Sequence, residues 1–333
     1  MRYEECRASD TRSVVVIGAS AGGIEALRRI IPTLKPDFPA AVFIVQHLDP
    51  KFPSMLNDLL AKESSLPVRF AQDAMRFQPG AVYIAPPDYH ILLEEGYVRL
   101  NHGPRINFSR PAVDPLFFSA AATYRACVVG IVLSGMLDDG AAGLAAIKRC
   151  GGVAIVQEPA DASFANMPAS AIAADHPDII VSLENLTTAV TEAVYMPKEA
   201  ERPVGDDIMR EILYLKNPSD PAGFDDFGEL KLLSCPECGG PVREKDLDGR
   251  PRYRCHVGHT FTGKWLLAAQ DQTVEESLWV AVRTFRERAH IQRKLAETEE
   301  RSNRTRSAAR YRNLAQESEK HAQRLLELVT MKK

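Results

Sequence analysis

Long apolar runs are missing from this 333-residue sequence. Its most hydrophobic stretch, residues 117–133, is broken by Arg125, short of the roughly 18 uninterrupted apolar residues that a membrane span needs. The opening Met1-Arg2-Tyr3-Glu4-Glu5-Cys6 lacks the apolar segment of a secretory signal, so a cytoplasmic protein without membrane insertion is expected. Charge of one sign is missing too. A formal net charge of -3 gives the whole chain no electrostatic reason to bind nucleic acid or an anionic membrane. Cysteine is sparse: of six, Cys235, Cys238 and Cys255 cluster, while Cys6, Cys127 and Cys150 are scattered and expected as free thiols, the last two buried. The first strand–turn–helix has neither G-x-G-x-x-G nor G-x-x-x-x-G-K-[ST], which argues against a nucleotide loop. No internal repeat or low-complexity tract stands out.

What is there begins with Val14-Val15-Val16-Ile17-Gly18-Ala19-Ser20-Ala21-Gly22-Gly23, followed by an amphipathic helix pattern. Gly18-Ala19-Ser20-Ala21-Gly22 matches G-x-S-x-G, a strand-to-helix turn that exposes a nucleophilic hydroxyl above a parallel sheet. A serine before a helix is more often a plain cap, so Ser20 needs partners to count as a nucleophile.

From residue 13 to about 195, strand and helix patterns alternate, which predicts an α/β domain. Its expected core is a doubly wound, mostly parallel sheet, with a β-hairpin at the border around Glu94-Glu95-Gly96. Residues 41–46 form a buried strand ending at His47, and the apolar strand 127–133 runs into Ser134-Gly135-Met136-Leu137-Asp138-Asp139-Gly140. Ser20, His47 and an aspartate of this last loop thus follow the carboxyl ends of strands in one sheet, where such folds bind ligands. A hydroxyl, an imidazole to take its proton and a carboxylate to orient the imidazole suffice for acyl transfer. The chain order Ser, His, Asp differs from the Ser, Asp, His of α/β-hydrolases, so that fold is not indicated.

The remainder divides into a Pro- and Gly-marked linker over residues 196–232 with a helical turn near 209–215, a Cys/His module over 233–268, and a helical tail over 269–333. Cys235-Pro236-Glu237-Cys238 and Cys255-His256-Val257-Gly258-His259 read as a zinc ribbon. Cys235, Cys238, Cys255 and His259 are the expected ligands of a closed, structural Zn site, and His256 is the rival for the fourth place. The basic residues Arg243, Lys245, Arg250, Arg252 and Arg254 alternate with acidic ones, which favours a solvated face over nucleic-acid binding. In the tail, Leu278, Val282, Phe285, Leu314, Leu325 and Leu328 form a narrow stripe broken near Ser302-Asn303. This suits a coiled-coil-like hairpin, a dimerising arm or a solvated helix on the module.

Five blocks in order give the segment from Ser13 to Tyr195 a specific likeness: Gly18-Ala19-Ser20-Ala21-Gly22-Gly23, Val45-Gln46-His47-Leu48, Tyr83-Ile84-Ala85-Pro86, Arg110-Pro111-Ala112-Val113-Asp114 and Ser134 to Ala141. It resembles the catalytic domain of the bacterial chemotaxis receptor methylesterases, the CheB family. The resemblance implies hydrolysis of glutamate γ-methyl esters on the cytoplasmic domain of chemoreceptors, releasing methanol, with deamidation of receptor glutamines as a second activity. It implies Ser20 as nucleophile, His47 as general base and Asp139, rather than Asp138, as the orienting carboxylate. Met136 and Ala21 belong to the oxyanion loops, and catalysis needs no cofactor. Three departures stand out: Ala21 where threonine is common, Leu137 where glycine is usual, and only about a dozen residues before the first strand where the family has a phosphoacceptor domain. Input is therefore expected from the C-terminal half, from a partner such as a separate response regulator or methyltransferase, or not at all. The alternative expectation is a catalytically weak scaffold that binds receptors or response regulators.

Overall fold

The computed structural model describes residue 4 and residues 13–48, 54–198, 202–217, 225, 227–247 and 249–330. Cys6 and the Asp49-Pro50 pair after His47 lie outside these. The chain divides into two units, residues 1–265 and 266–333.

In the first unit, the strands β1 (Val14–Ala19), β2 (Ala41–Gln46), β3 (Val68–Phe70), β4 (Ala81–Ile84), β7 (Val128–Val132), β8 (Val153–Gln157) and β9 (Ile179–Val181) form one sheet. Its order is β3-β4-β2-β1-β7-β8-β9 and every pairing is parallel. Val14 and Val16 point into one apolar layer, and Val15 and Ile17 into the other. Burial on both faces is why these strands read as unbroken β-branched runs rather than alternating ones. Helices α1 (Gly23–Ile30), α2 (Leu56–Glu63) and α6 (Leu186–Tyr195) cover one face. The other is covered by α3 (Val113–Tyr124), α4 (Ala141–Arg149) and α5 (Asn166–Ala174). The helix connection after β1 leads towards β2 and that after β7 towards β8, so the sheet reverses direction beside β1 and opens a crevice at its carboxyl edge.

The hairpin of β5 (His90–Glu94) and β6 (Tyr97–Asn101) does not extend the sheet's border; it forms a two-stranded sheet of its own. It is fastened to α3, where the Ser119 hydroxyl accepts the Leu93 N–H and the Tyr124 hydroxyl donates to the Glu94 carbonyl. The segment 196–232, expected as a linker, carries α7 (Asp206–Lys216), a full helix whose Ile208, Ile212 and Leu215 are buried in the layer with α3. Its mixed charges suggested a linker, but Glu211 faces inward and pairs with Arg254, and Asp207 pairs with Arg149. Cys150 is a free, buried thiol, but Cys127, expected as one, is disulfide-bonded. An apolar pattern predicts burial and says nothing about a cross-link.

The Cys/His module is a four-stranded antiparallel sheet of β10 (Glu229–Ser234), β11 (Pro241–Leu247), β12 (Arg250–Cys255) and β13 (Thr260–Thr262). Helix α8 (Gly263–Arg301) begins in the first unit; from Leu266 on it lies in the second, where it forms an antiparallel hairpin with α9 (Thr305–Thr330) that turns at Asn303, with ion pairs Arg293–Glu319 and Arg312–Glu300. Its buried seam recurs every seven residues, at Val282, Ala289 and Ala296 and at Ala308, Ala315, Ala322 and Val329. Alanines, rather than the leucines of the sequence stripe, occupy it because small side chains let two helices approach closely; Leu328 is 58% exposed.

Candidate active site and Cys/His cluster

The three adjacent strands β2, β1 and β7 each release one candidate residue into the crevice. Ser20 follows β1, His47 follows β2, and Asp139 lies in the loop between β7 and α4. The Ser20 hydroxyl lies 3.1 Å from His47 Nδ1, and His47 Nε2 lies 2.7 Å from Asp139 Oδ2. For Nδ1 to accept the serine proton, the neutral ring carries its hydrogen on Nε2 and donates it to Asp139. The ring faces the serine with the opposite nitrogen from the serine-protease triad, yet every role can be filled.

Asp139 is fully buried. Its Oδ2 also accepts the Val113 N–H at 2.7 Å, and its Oδ1 accepts the Gly140 N–H at 3.0 Å and the Asp114 N–H at 3.4 Å. Val113 opens α3, so the carboxylate sits where a helix start presents unsatisfied N–H groups. Burial alone would raise the Asp139 pKa, but the His47 bond and charge, with these backbone donors, hold it below the ordinary carboxylate value. Gly140 is needed at this point: its φ is 84°, and a Cβ there would lie 2.6 Å from Val113 Cγ1. Asp138 faces away, accepting the Thr262 hydroxyl at 2.8 Å.

The start of α1 backs Ser20, whose carbonyl accepts the Gly23 N–H, and the Gln46 amide holds the same carbonyl at 2.8 Å. Across the crevice, the loop after β7 passes so close that a Cβ on Gly135 would lie 2.9 Å from Ser20 Cβ. Ala21 and Met136 thus flank the nucleophile, and neither N–H donates a backbone hydrogen bond among the described residues. Leu137 has φ 62°, the left-handed region that glycine favours.

The four candidate ligands also come together. Cys235, Cys238 and Cys255 Sγ and a His259 ring nitrogen lie within 4.8 Å of one another. His259 Nδ1 is 3.7 Å from Cys235 Sγ and 3.6 Å from Cys255 Sγ, while its Nε2 meets the Glu237 carboxylate at 3.3 Å. Three thiols and an imidazole anchored from behind by a carboxylate suit a tetrahedral ion of the zinc type. The His256 ring instead lies over Gly240, outside the cluster.

Sequence reasoning missed the groups around Asp139. Arg252 and Arg254, expected on a solvated face, are 6% and 3% exposed. Arg252 pairs with Asp114, and Arg254 pairs with Glu211 at 2.7 Å. Alternating charge marks an exposed strand only if nothing covers it, and here α3 and α7 supply carboxylates that a linear pattern cannot reveal. Burial, with Asp139 nearby, pushes Asp114 up to about 6 despite Arg252. Asn107, fully buried with a left-handed backbone, also carried no signal in the sequence.

Comparison with known proteins gives a consistent result. The family described as CheB methylesterase matches residues 15–190. A Leptospira interrogans protein that bears the name protein-glutamate methylesterase/protein-glutamine glutaminase provisionally is 41% identical over 173 residues, 52% of this chain and 90% of that protein. An Anaeromyxobacter dehalogenans protein-glutamate methylesterase/protein-glutamine glutaminase is 40% identical over 54% of this chain and 52% of its own length. The crystal structure of the Thermotoga maritima CheB methylesterase catalytic domain superposes with a TM-score of 0.53 at 35% identity, covering 55% of this chain and 98% of that one.

Proposed function

Because the chain belongs to the CheB methylesterase family, we propose that it hydrolyses glutamate γ-methyl esters on the cytoplasmic part of chemoreceptors. The observation that carries this reading is the continuous line from the Ser20 hydroxyl through His47 to buried Asp139. His47 takes the Ser20 proton as Oγ attacks the ester carbonyl carbon, and Asp139 stabilises the imidazolium. The N–H groups of Ala21 and Met136 receive the oxyanion, which an exposed helix start at α1 also favours. His47 returns the proton to the departing methoxide, giving methanol and an acyl-serine. Water, deprotonated by His47, then releases glutamate and restores Ser20. The same acyl chemistry on a glutamine side chain releases ammonia, the second activity named for the relatives.

Catalysis by this line needs no cofactor. Cys235, Cys238, Cys255 and His259 would hold a structural Zn²⁺, four protein donors that fill its tetrahedral shell and leave no open position for chemistry. A chemoreceptor's cytoplasmic part as substrate supports a cytoplasmic location; among the described residues no helix is long and apolar enough to cross a membrane.

Methanol release from methylated chemoreceptor membranes tests the assignment. The purified chain is expected to turn over, and Ser20→Ala to lose at least about a thousandfold in kcat. Equal turnover by the variant would remove Ser20 from the mechanism.

A further inference from the structure

Three consecutive residues of the loop that carries the catalytic carboxylate are each tied to the Cys/His module. The Leu137 carbonyl accepts the Ser170 hydroxyl, which in turn accepts Lys264 Nζ at 2.9 Å, just past β13. The Asp138 carboxylate accepts the Thr262 hydroxyl of β13. Asp139 Oδ1 accepts Asn107 Nδ2 at 3.4 Å, and Asn107 is itself clamped on β13: its Oδ1 accepts the Thr262 N–H at 3.0 Å and its N–H donates to the Thr260 carbonyl at 2.8 Å. A fourth line runs from β12, where buried Arg252 pairs with Asp114, whose N–H donates to Asp139. Behind this loop, Asp114, Asp138, Arg252, Thr262 and Lys264 share the wall of a cavity of about 600 Å³, so no close-packed core props the loop from that side.

Two of the four clustered ligands bracket the strands that make these contacts. Cys255 ends β12, and His259 immediately precedes β13. The strands pair only over Arg252–Thr262, Tyr253–Phe261 and Arg254–Thr260, a short ladder whose register a clamp at the turn strengthens. A metal ion bound by Cys255 and His259 is such a clamp.

We propose that the metal-loaded module is a built-in activator of the esterase: it fixes β13, and Thr262, Asn107 and Arg252 act as positioning residues that hold the loop 137–139 and so the Asp139 carboxylate. This rests on the esterase reading above. Loading the module raises kcat by holding His47's partner in place, and it leaves KM unaltered because Thr262, Asn107 and Arg252 bond to Asp138, Asp139 and Asp114 rather than to Ser20.

The test compares the full chain loaded with one equivalent of Zn²⁺, the same chain stripped with a chelator, and the stripped chain with Zn²⁺ restored. Turnover on methylated receptor membranes is read beside amide hydrogen exchange over residues 137–143, which needs no substrate and so separates a failure of this coupling from a failure of the esterase reading. Stripping is expected to speed exchange in that segment at least tenfold and to lower kcat with KM unchanged, and Zn²⁺ to reverse both. Thr262→Val keeps all four ligands, so its zinc content stays at one equivalent. It is expected to lose about fivefold in kcat, the worth of one buried hydrogen bond, with rescue by Thr262→Ser. A chain that binds no zinc, exchange over 137–143 that ignores metal loss, or a Thr262→Val effect confined to KM would each overturn the proposal.

Discussion

The α/β sheet and the Cys/His module are both β-structures of the same unit, yet they are held by different means. Every residue of β1, β2, β4, β7 and β8 is buried. At roughly 1.5–3 kcal/mol for each large apolar side chain removed from water, the sheet has a surplus of driving force. In the module, β10 leaves Leu230 and Leu232 exposed, and its buried apolar residues are few: Val242, Phe261 and the candidate ligands Cys235 and Cys255 among them. A sheet that small gains little from burial, and the proposed metal ion would add to what holds it. The sheet places the candidate catalytic groups, while the module has little apolar burial of its own.

Removing the metal should break the comparison most forcefully. Structural Zn²⁺ is worth about 10 kcal/mol or more to a small module, so chelation should abolish exchange protection across β11 and β12 while β1, β2 and β7 stay protected. Protection that survives in the module would mean its ion pairs suffice. Next in size is Asp139→Asn, which cannot stabilise the imidazolium; turnover should fall by about 10⁴-fold, ~5.5 kcal/mol of barrier, with the sheet still folded although its melt drops, because the new amide NH₂ meets a backbone N–H. A variant that unfolds instead would make Asp139 chiefly a scaffold residue.

A smaller effect concerns His90, fully buried between the hairpin and α3. Its Nδ1 accepts the Ala112 N–H and its Nε2 donates to the Pro104 carbonyl, so the fold has no place for a second proton. Burial pulls its pKa down to about 4 from 6.5. A base depressed in the fold stabilises fully above the unfolded value and loses that contribution as pH falls, so about 3 kcal/mol should disappear between pH 6.5 and 4. Urea unfolding at both pH values should show this slope in the parent and not in His90→Gln. The smallest effect is at Leu137: glycine there relieves the left-handed backbone but frees the unfolded chain, so Leu137→Gly should shift stability by less than about 1 kcal/mol. A larger loss would show that the half-buried leucine packs for a purpose.

Much of the sheet could be read from the sequence because parallel strands buried on both faces leave unbroken apolar runs between turn residues, as at Val14–Ala19 and Ala41–Gln46. The position of α7 could not, since a helix with charged flanks among prolines resembles a tether until the layer that buries Ile208 and Ile212 is known. Nor could the disulfide at Cys127, because spacing records neither distance nor partner. In the tail, the leucine stripe drew attention and the seven-residue alanine repeat did not, although the close seam depends on the small residues.

By itself, the sequence determined which chemistry was available: a serine in a strand-to-helix turn, a histidine and an aspartate after strands, and a Cys-x-x-Cys with a second Cys/His turn. These are local facts, set by residue type and spacing of a few positions. Only the tertiary structure decided which aspartate faces His47, which histidine joins the thiols, and that Asn107 reaches Asp139 and Arg252 reaches Asp114 from elements far away in the chain. The physical reason is that a hydrogen bond or ion pair depends on a few ångströms in space, while sequence separation between its partners costs only loop entropy that grows slowly with length.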